Sequence, residues 1–322
     1  MAIDAITHEA LNSGRNQATR VLALRAVSLK KREKALKSHA RKVGKKGPPV
    51  GAVKGVAALD LSLPSFFGNT ETAGILVAEG DSWFDYPMHD ILKLLEDNHG
   101  YDVESMAHKG DTIEGMAYGE NQLSDFIRSI EKVLRRGDRP KAILLSGGGN
   151  DIAGAEFGMM VNHRGSAIAG LNDKVVSGVI DERIRTAYIT ILSSVTQVCK
   201  ELTGAVVPIL VHGYDYPVPD GRGFMGGWGP LPGPWLEPGY REKGFEDLEQ
   251  RVTLTMALID RFNSMLGGIV GLPDFAHVQY IDLRNTLLHG AGYKKFWANE
   301  LHPNEGGFTK VTEKFAEVLG KL

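Results

Sequence analysis

Residues 74–82 read Gly-Ile-Leu-Val-Ala-Glu-Gly-Asp-Ser, a short apolar run that ends in a glycine turn. A run of this length without polar alternation fits a strand buried on both faces, as inside a parallel sheet. The pattern repeats outward from it. Residues 101–107 form a second, weaker strand candidate, 141–145 (KAILL) a third, 205–212 (AVVPILVH) a fourth and 277–282 (HVQYID) a fifth. Between and after them, residues 88–97, 122–136, 181–202, 245–266 and 305–319 carry helical spacing. Strands alternating with helices predict an α/β fold, a parallel sheet covered on both faces.

Two stretches break this rhythm. Residues 154–180 are polar and contain glycine, and residues 213–244 hold Tyr214, Phe224, Trp228, Trp235 and Tyr240 among glycines and prolines. A segment of that length without periodicity is uncommon in a compact domain unless it works in function, so 213–244 is a candidate for a lid over a site, the alternative being a rigid loop packed on the domain without substrate contact.

Ahead of the sheet, residues 1–46 read as one basic helix. Leu22, Leu29, Leu36 and Val43 recur every seventh position as a narrow apolar stripe, and the run ends at Lys45-Lys46-Gly47-Pro48-Pro49. Residues 47–72 read as a linker or strap, and 73–322 as the main domain with its two insertions. The first fifty residues hold 12 Lys and Arg against 3 Asp and Glu, while the whole chain of 322 residues has a net charge of −2. The chain as a whole therefore has no bias toward nucleic acid, and none is expected as a partner. The basic helix is instead a candidate for an anionic surface, a partner helix or a homo-oligomer seam.

Cys199, the only cysteine, lies in an apolar helical stretch and reads as a buried structural thiol. No Sec-type signal pattern stands at the N-terminus and no apolar run approaches the ~20 residues of a membrane span. The expected location is cytoplasmic, export by a route without a cleavable signal aside.

Three short segments carry chemistry: Gly80-Asp81-Ser82, Gly148-Gly149-Asn150-Asp151 and Leu301-His302-Pro303. Ser82 follows the first strand, Asn150 the third and His302 the fifth. Ligands of open parallel sheets bind at the carboxyl ends of the strands, so all three fall on one rim. A serine hydroxyl needs a base to become a nucleophile, and an imidazole of ordinary pKa suits that task. The Asn150 amide, with the backbone N–H groups of Ser82 and Gly110, can aim donors at a developing oxyanion. Asp81 reads as fixing the turn. His89, His108 and His212 rank below His302 as bases, and His8 and His39 lie in the basic arm.

These segments resemble the SGNH (GDSL-type) hydrolases, a family with a Gly-Asp-Ser block, a glycine block, a Gly-x-Asn-Asp block and a C-terminal Asp-x-x-His block. The resemblance spans roughly residues 74–320 on about a dozen diagnostic positions. It implies a flavodoxin-like three-layer sandwich around five parallel strands. It also implies ester hydrolysis through an acyl-enzyme without a cofactor or metal, with Ser82 as nucleophile, Gly110 and Asn150 as oxyanion donors and His302 as base.

Two positions depart from the family pattern. Trp83 stands where leucine is usual, and Asn299 occupies the aspartate slot three residues before His302. A neutral amide can orient an imidazole but supplies no charge, and in one protease the analogous change cost about 10⁴ in turnover. Three outcomes follow: a Ser–His dyad supported by Asn299 or a backbone carbonyl, a different carboxylate (Glu300 or Asp282) on the ring, or a catalytically weak scaffold that acts as a binding protein. Trp83, Trp228 and Trp235 are expected to line the substrate site, which suits the acyl or acetyl ester of a small molecule, a lipid or a carbohydrate.

Overall fold

The computed structural model describes residues 4–44, 72–226 and 231–322. The expected linker at 47–72, save its last residue, and Trp228 lie outside them. In chain order the elements are α1 (Ala5–Gly44), β1 (Ile75–Glu79), α2 (Ile91–His99), β2 (Asp102–Ser105), α3 (Ile113–Tyr118), α4 (Gln122–Arg135), β3 (Pro140–Leu145) and α5 (Gly149–Ile152). There follow β4 (Val161–Asn162), β5 (Gly170–Leu171), α6 (Asp173–Ser177), α7 (Arg185–Thr203), β6 (Ile209–His212), α8 (Glu237–Glu242), α9 (Leu248–Val270), β7 (Val278–Ile281) and α10 (Glu305–Leu319). A π-helical turn, Gly178–Ile184, joins α6 to α7.

Strands β2-β1-β3-β6-β7 form a five-stranded sheet, parallel throughout, and β4 and β5 make a separate antiparallel pair. The expected α/β sheet is therefore present, and its strand order is the doubly wound one. The chain runs from β1 outward to β2, then returns to β3 on the other side of β1. That reversal opens a crevice at the carboxyl ends of β1 and β3, the place where such sheets bind ligands. Ser82 and Asn150 stand on either side of it.

The strands obey their burial. The central β1 and β3 are apolar and almost wholly buried, whereas the edge strand β2 (Asp-Val-Glu-Ser) leaves polar residues in solvent. The fourth strand starts later than its apolar run suggests. Pro208 has no N–H for the ladder, although its carbonyl still accepts from Ile143 N–H at 2.9 Å.

Helices α2 and α10 pack together on one face, and α4, α7 and α9 cover the other. Helix α7 is buried nearly all round because α1 covers its outer side. The packed face of α1 is Thr7, Ala10, Leu11, Ala18 and Val21, which lies before the heptad stripe; Leu22 is only half-buried and Leu24 and Val27 are exposed. The side chains of Leu29, Leu36 and Val43 lie outside the described residues. Gly14 faces α7 so closely that a Cβ there would stand 2.4 Å from the Thr190 carbonyl oxygen. Cys199 is buried on α7, and burial pushes its thiol up to about 12, where it is inert. No helix among the described residues is long and apolar enough to cross a membrane.

Candidate active site

The turn after β1 places Ser82. Asp81, buried beneath it, accepts from Trp83 N–H at 3.0 Å, from Ser146 Oγ at 2.7 Å and from the Tyr214 hydroxyl. Ser146 directly follows β3 and in turn meets His212 Nε2 at 2.8 Å, at the end of β6. One buried polar chain thus ties the carboxyl ends of three adjacent strands to the turn that presents the serine. Burial holds the His212 pKa below its ordinary range. His212 is fully enclosed behind the turn and takes no part in the rim.

Ser82 Oγ lies 2.7 Å from His302 Nε2, and His302 Nδ1 lies 3.0 Å from Asn299 Oδ1. The same Oδ1 accepts from the backbone N–H of Leu301 at 3.0 Å and of His302 at 2.9 Å. Three donors on one oxygen fix which way the amide points. They also fix the imidazole: Nδ1 carries the proton, so Nε2 is left as acceptor for the serine O–H. His302 is 7% exposed, and burial alone pushes its pKa down to about 3, so the ring is neutral at ordinary pH.

Neither candidate carboxylate reaches that ring. The Glu300 carboxylate accepts four backbone N–H groups, from Gly221, Trp235, Leu236 and Glu237 at 2.7 to 3.1 Å. Asp282 is held by Arg284, whose guanidinium keeps its carboxyl below the usual range. Both expectations are corrected for one reason. Each carboxylate is already engaged elsewhere, and among the described residues Asn299 is the partner of Nδ1.

On the other side of Ser82, the His108 N–H donates to the Gly80 carbonyl at 2.8 Å and Lys109 N–H to Asp85 at 3.0 Å. These bonds tie the segment leading to Gly110, whose φ is 93°, to the Gly80–Asp85 turn that carries the serine. The N–H groups of Ser82 and Gly110 donate to no acceptor among the described residues. Asn150 leaves β3 through Gly148, whose φ of 97° and contact with Phe262 both exclude a side chain. Its Nδ2 donates once, to the Asp111 carbonyl at 2.9 Å, which leaves the second amide hydrogen free. Asp151 caps α3 by accepting from Ile113 and Glu114 N–H.

A cavity of about 50 Å³ touches Ser82, Asn150 and His302 together and is walled by Ile152, Tyr214, Leu236, Leu258 and Trp297. Trp83 borders it but is otherwise buried, its indole N–H donating to the Leu301 carbonyl at 3.2 Å. Trp235 stands nearly perpendicular to the His302 ring, with centroids 5.5 Å apart. The described part of the 213–244 insertion packs beside the site and is tied down there by hydrogen bonds. Glu300 anchors it through four amides, and Arg222 bonds the carbonyls of Trp297 and Ala298 at 3.0 Å.

Sequence reasoning did not find Tyr86, Ser146, Tyr214 or the anchoring work of Glu300. Tyr86 lies only four residues past Ser82, but its meaning depends on the distant residues 299 and 302, and no local pattern marks it.

The architecture is a doubly wound α/β fold with Ser82, His302 and Asn299 joined by hydrogen bonds at its switch point. No family model matches the chain, and no curated protein matches it. Solved structures with a similar chain path include a catalytic mutant of an acetylxylan esterase from Geobacillus stearothermophilus (14% identity, 77% of this chain and 95% of that one, TM-score 0.39). Another is a carbohydrate esterase family 3 protein from Talaromyces cellulolyticus (12% identity, 77% and 99%, TM-score 0.39). An alpha/beta hydrolase from the metagenome of Lake Arreo is similar at 13% identity (77% and 96%, TM-score 0.39).

Proposed function

We propose that this chain is a carboxylic ester hydrolase that works through an acyl-enzyme on Ser82. The observation that carries the reading is the relay Ser82 Oγ–His302 Nε2 at 2.7 Å with His302 Nδ1 fixed on Asn299. Ser82 Oγ attacks the ester carbonyl carbon and its proton passes to His302 Nε2. The carbonyl oxygen becomes an oxyanion and takes hydrogen bonds from Ser82 N–H, Gly110 N–H and the free hydrogen of Asn150 Nδ2. The intermediate collapses, the carbon–alkoxy bond breaks, and His302 returns its proton to the departing alcohol. A water then gives a proton to His302 and its oxygen to the acyl carbon; the bond from that carbon to Ser82 Oγ breaks, His302 returns the proton to Oγ, and the acid is released. These residues need no cofactor for that sequence.

The cavity supports a short acyl group. The cavity of about 50 Å³ beside Ser82 is narrow, which suits a short acyl chain over a long one. Its walls are largely apolar, so they favour an uncharged acyl chain. Hydrolysis of p-nitrophenyl acetate, butyrate and octanoate tests this directly. Turnover should be Ser82-dependent, present for the first two and at least tenfold lower in kcat/KM for the third. Full activity in Ser82→Ala would sink the assignment, and a preference for octanoate would sink the chain-length part.

A further inference from the structure

Proton transfer leaves a cation whose Nδ1 side meets no carboxylate among the described residues. Once His302 takes the Ser82 proton it is an imidazolium, and among the described residues the atom that faces its Nδ1 is a neutral amide oxygen. The nearest carboxylate in sequence, Glu300, is spent on four backbone amides. What does lie on the ring is Tyr86. The two rings stack with centroids 4.5 Å apart and planes 22° from parallel, within the range at which an aromatic face attracts a cation.

Tyr86 is held there from several directions. Asn299 Nδ2 donates to its hydroxyl at 3.1 Å, and the rings of Phe224 and Phe308 pack on it at 5.9 and 5.7 Å. Its hydroxyl thereby satisfies the remaining polar end of the buried Asn299 amide. Trp235 closes the other approach to His302 as a neutral ring. Among the described residues, the side chains that hydrogen-bond to or stack on the imidazole are Ser82, Asn299, Tyr86 and Trp235, none of which bears a formal charge.

Resting on the hydrolase reading above, we propose that Tyr86 is a positioning residue that stands in for the absent aspartate, its ring face carrying the imidazolium charge while its hydroxyl holds Asn299. The slot at 299 and the residue at 86 then work as a pair. A carboxylate at 299 would make the aromatic face nearly redundant, and an aliphatic residue at 86 would leave the cation unsupported.

The test is a double-mutant cycle on p-nitrophenyl acetate with Tyr86→Phe, Tyr86→Trp, Tyr86→Leu and Asn299→Asp, each variant first checked for an intact melting transition. Tyr86→Phe keeps the ring and loses the hydroxyl, so kcat should fall about twofold. Tyr86→Leu should lose about twentyfold in kcat with KM within twofold, in line with a desolvated cation–π contact. Tyr86→Trp, the better aromatic face, should stay within threefold of wild type and serves if the leucine variant does not fold. In the Asn299→Asp background the loss from Tyr86→Leu should shrink to about threefold. Equal losses in the phenylalanine and leucine variants, or a leucine loss undiminished beside Asn299→Asp, would overturn the proposal.

A second readout does not depend on turnover. The His302 ring proton signal, followed by NMR against pH, should show a lower half-protonation point in Tyr86→Leu than in Tyr86→Phe. An unchanged point overturns the stacking role. If the wild-type chain shows no Ser82-dependent turnover, the hydrolase reading fails, and this titration still decides the contact between Tyr86 and His302.

Discussion

Replacing Asn299 by aspartate should make the enzyme faster and more sensitive to acid. The new carboxylate would sit where Oδ1 now lies, 3.0 Å from His302 Nδ1, with the backbone N–H groups of Leu301 and His302 already aimed at it. Two unit charges about 4 Å apart attract by about 4 kcal/mol at an effective dielectric of about 20. Burying the carboxylate takes back part of this, although its donors are in place, and the Tyr86 hydroxyl can turn to donate to its second oxygen. The net expectation is a gain in kcat of roughly tenfold to a thousandfold. The same attraction stabilises the imidazolium. Burial now pushes His302 down to about 3, so activity should stay flat from neutral pH to about 4 and fall only as the base is protonated near 3. In Asn299→Asp that acid limb should move up by roughly 2 to 3 pH units. The assay is kcat/KM against pH for both proteins on p-nitrophenyl acetate. A folded Asn299→Asp protein with an unmoved limb and unchanged kcat would refute the role of Asn299 or of His302 as base.

Two further outcomes follow from buried acids. Glu79, at the end of β1, is raised by burial to about 8 from an ordinary 4.5, so the folded state holds its proton more tightly than the unfolded chain. The stability this lends is full below about 4.5 and is lost as pH rises toward 8. Glu79→Gln should therefore flatten the fall in melting temperature between those limits and be the more stable protein above pH 8; parallel curves for the two would refute it. Glu300→Gln would set an NH2 group against amides that need an acceptor. It should cost roughly 3 kcal/mol and lower the melting temperature by about 6 to 12 °C, with a raised KM as Trp235 and Leu236 move off the site. A Glu300→Gln protein as stable as wild type would show that the wall has another anchor.

The sheet was legible because its central strands β1, β3 and β6 are buried on both faces, so their apolar runs needed no partner to be seen. The closing helix 305–319 was equally plain, since its Phe308, Val311 and Phe315 keep helical spacing. Helices α3 and α5, of 6 and 4 residues, are too short to show a period and were missed. The long helix was expected to begin at 181. The helical run in fact starts at Asp173, inside the first insertion, and the π turn at Gly178–Ile184 interrupts its spacing. At the candidate site, Ser82, Gly110, Asn150 and His302 stand out in sequence because each lies beside a turn at a strand end or helix start. Their supports do not. Ser146, His212 and Tyr214 look like ordinary residues after apolar strands, and only the sheet order brings them behind Asp81. Glu300 misleads for a related reason. Adjacency in sequence to His302 suggests a charge on the ring, but its side chain points into the insertion.

The most direct test of the account is to treat the wild-type chain with a fluorophosphonate and map the modified peptide by mass spectrometry, beside Ser82→Ala and His302→Ala. The account predicts one adduct, on Ser82, absent in Ser82→Ala and formed at least a hundredfold more slowly in His302→Ala. A wild-type chain that stays unmodified, or that is modified at another residue, would contradict it.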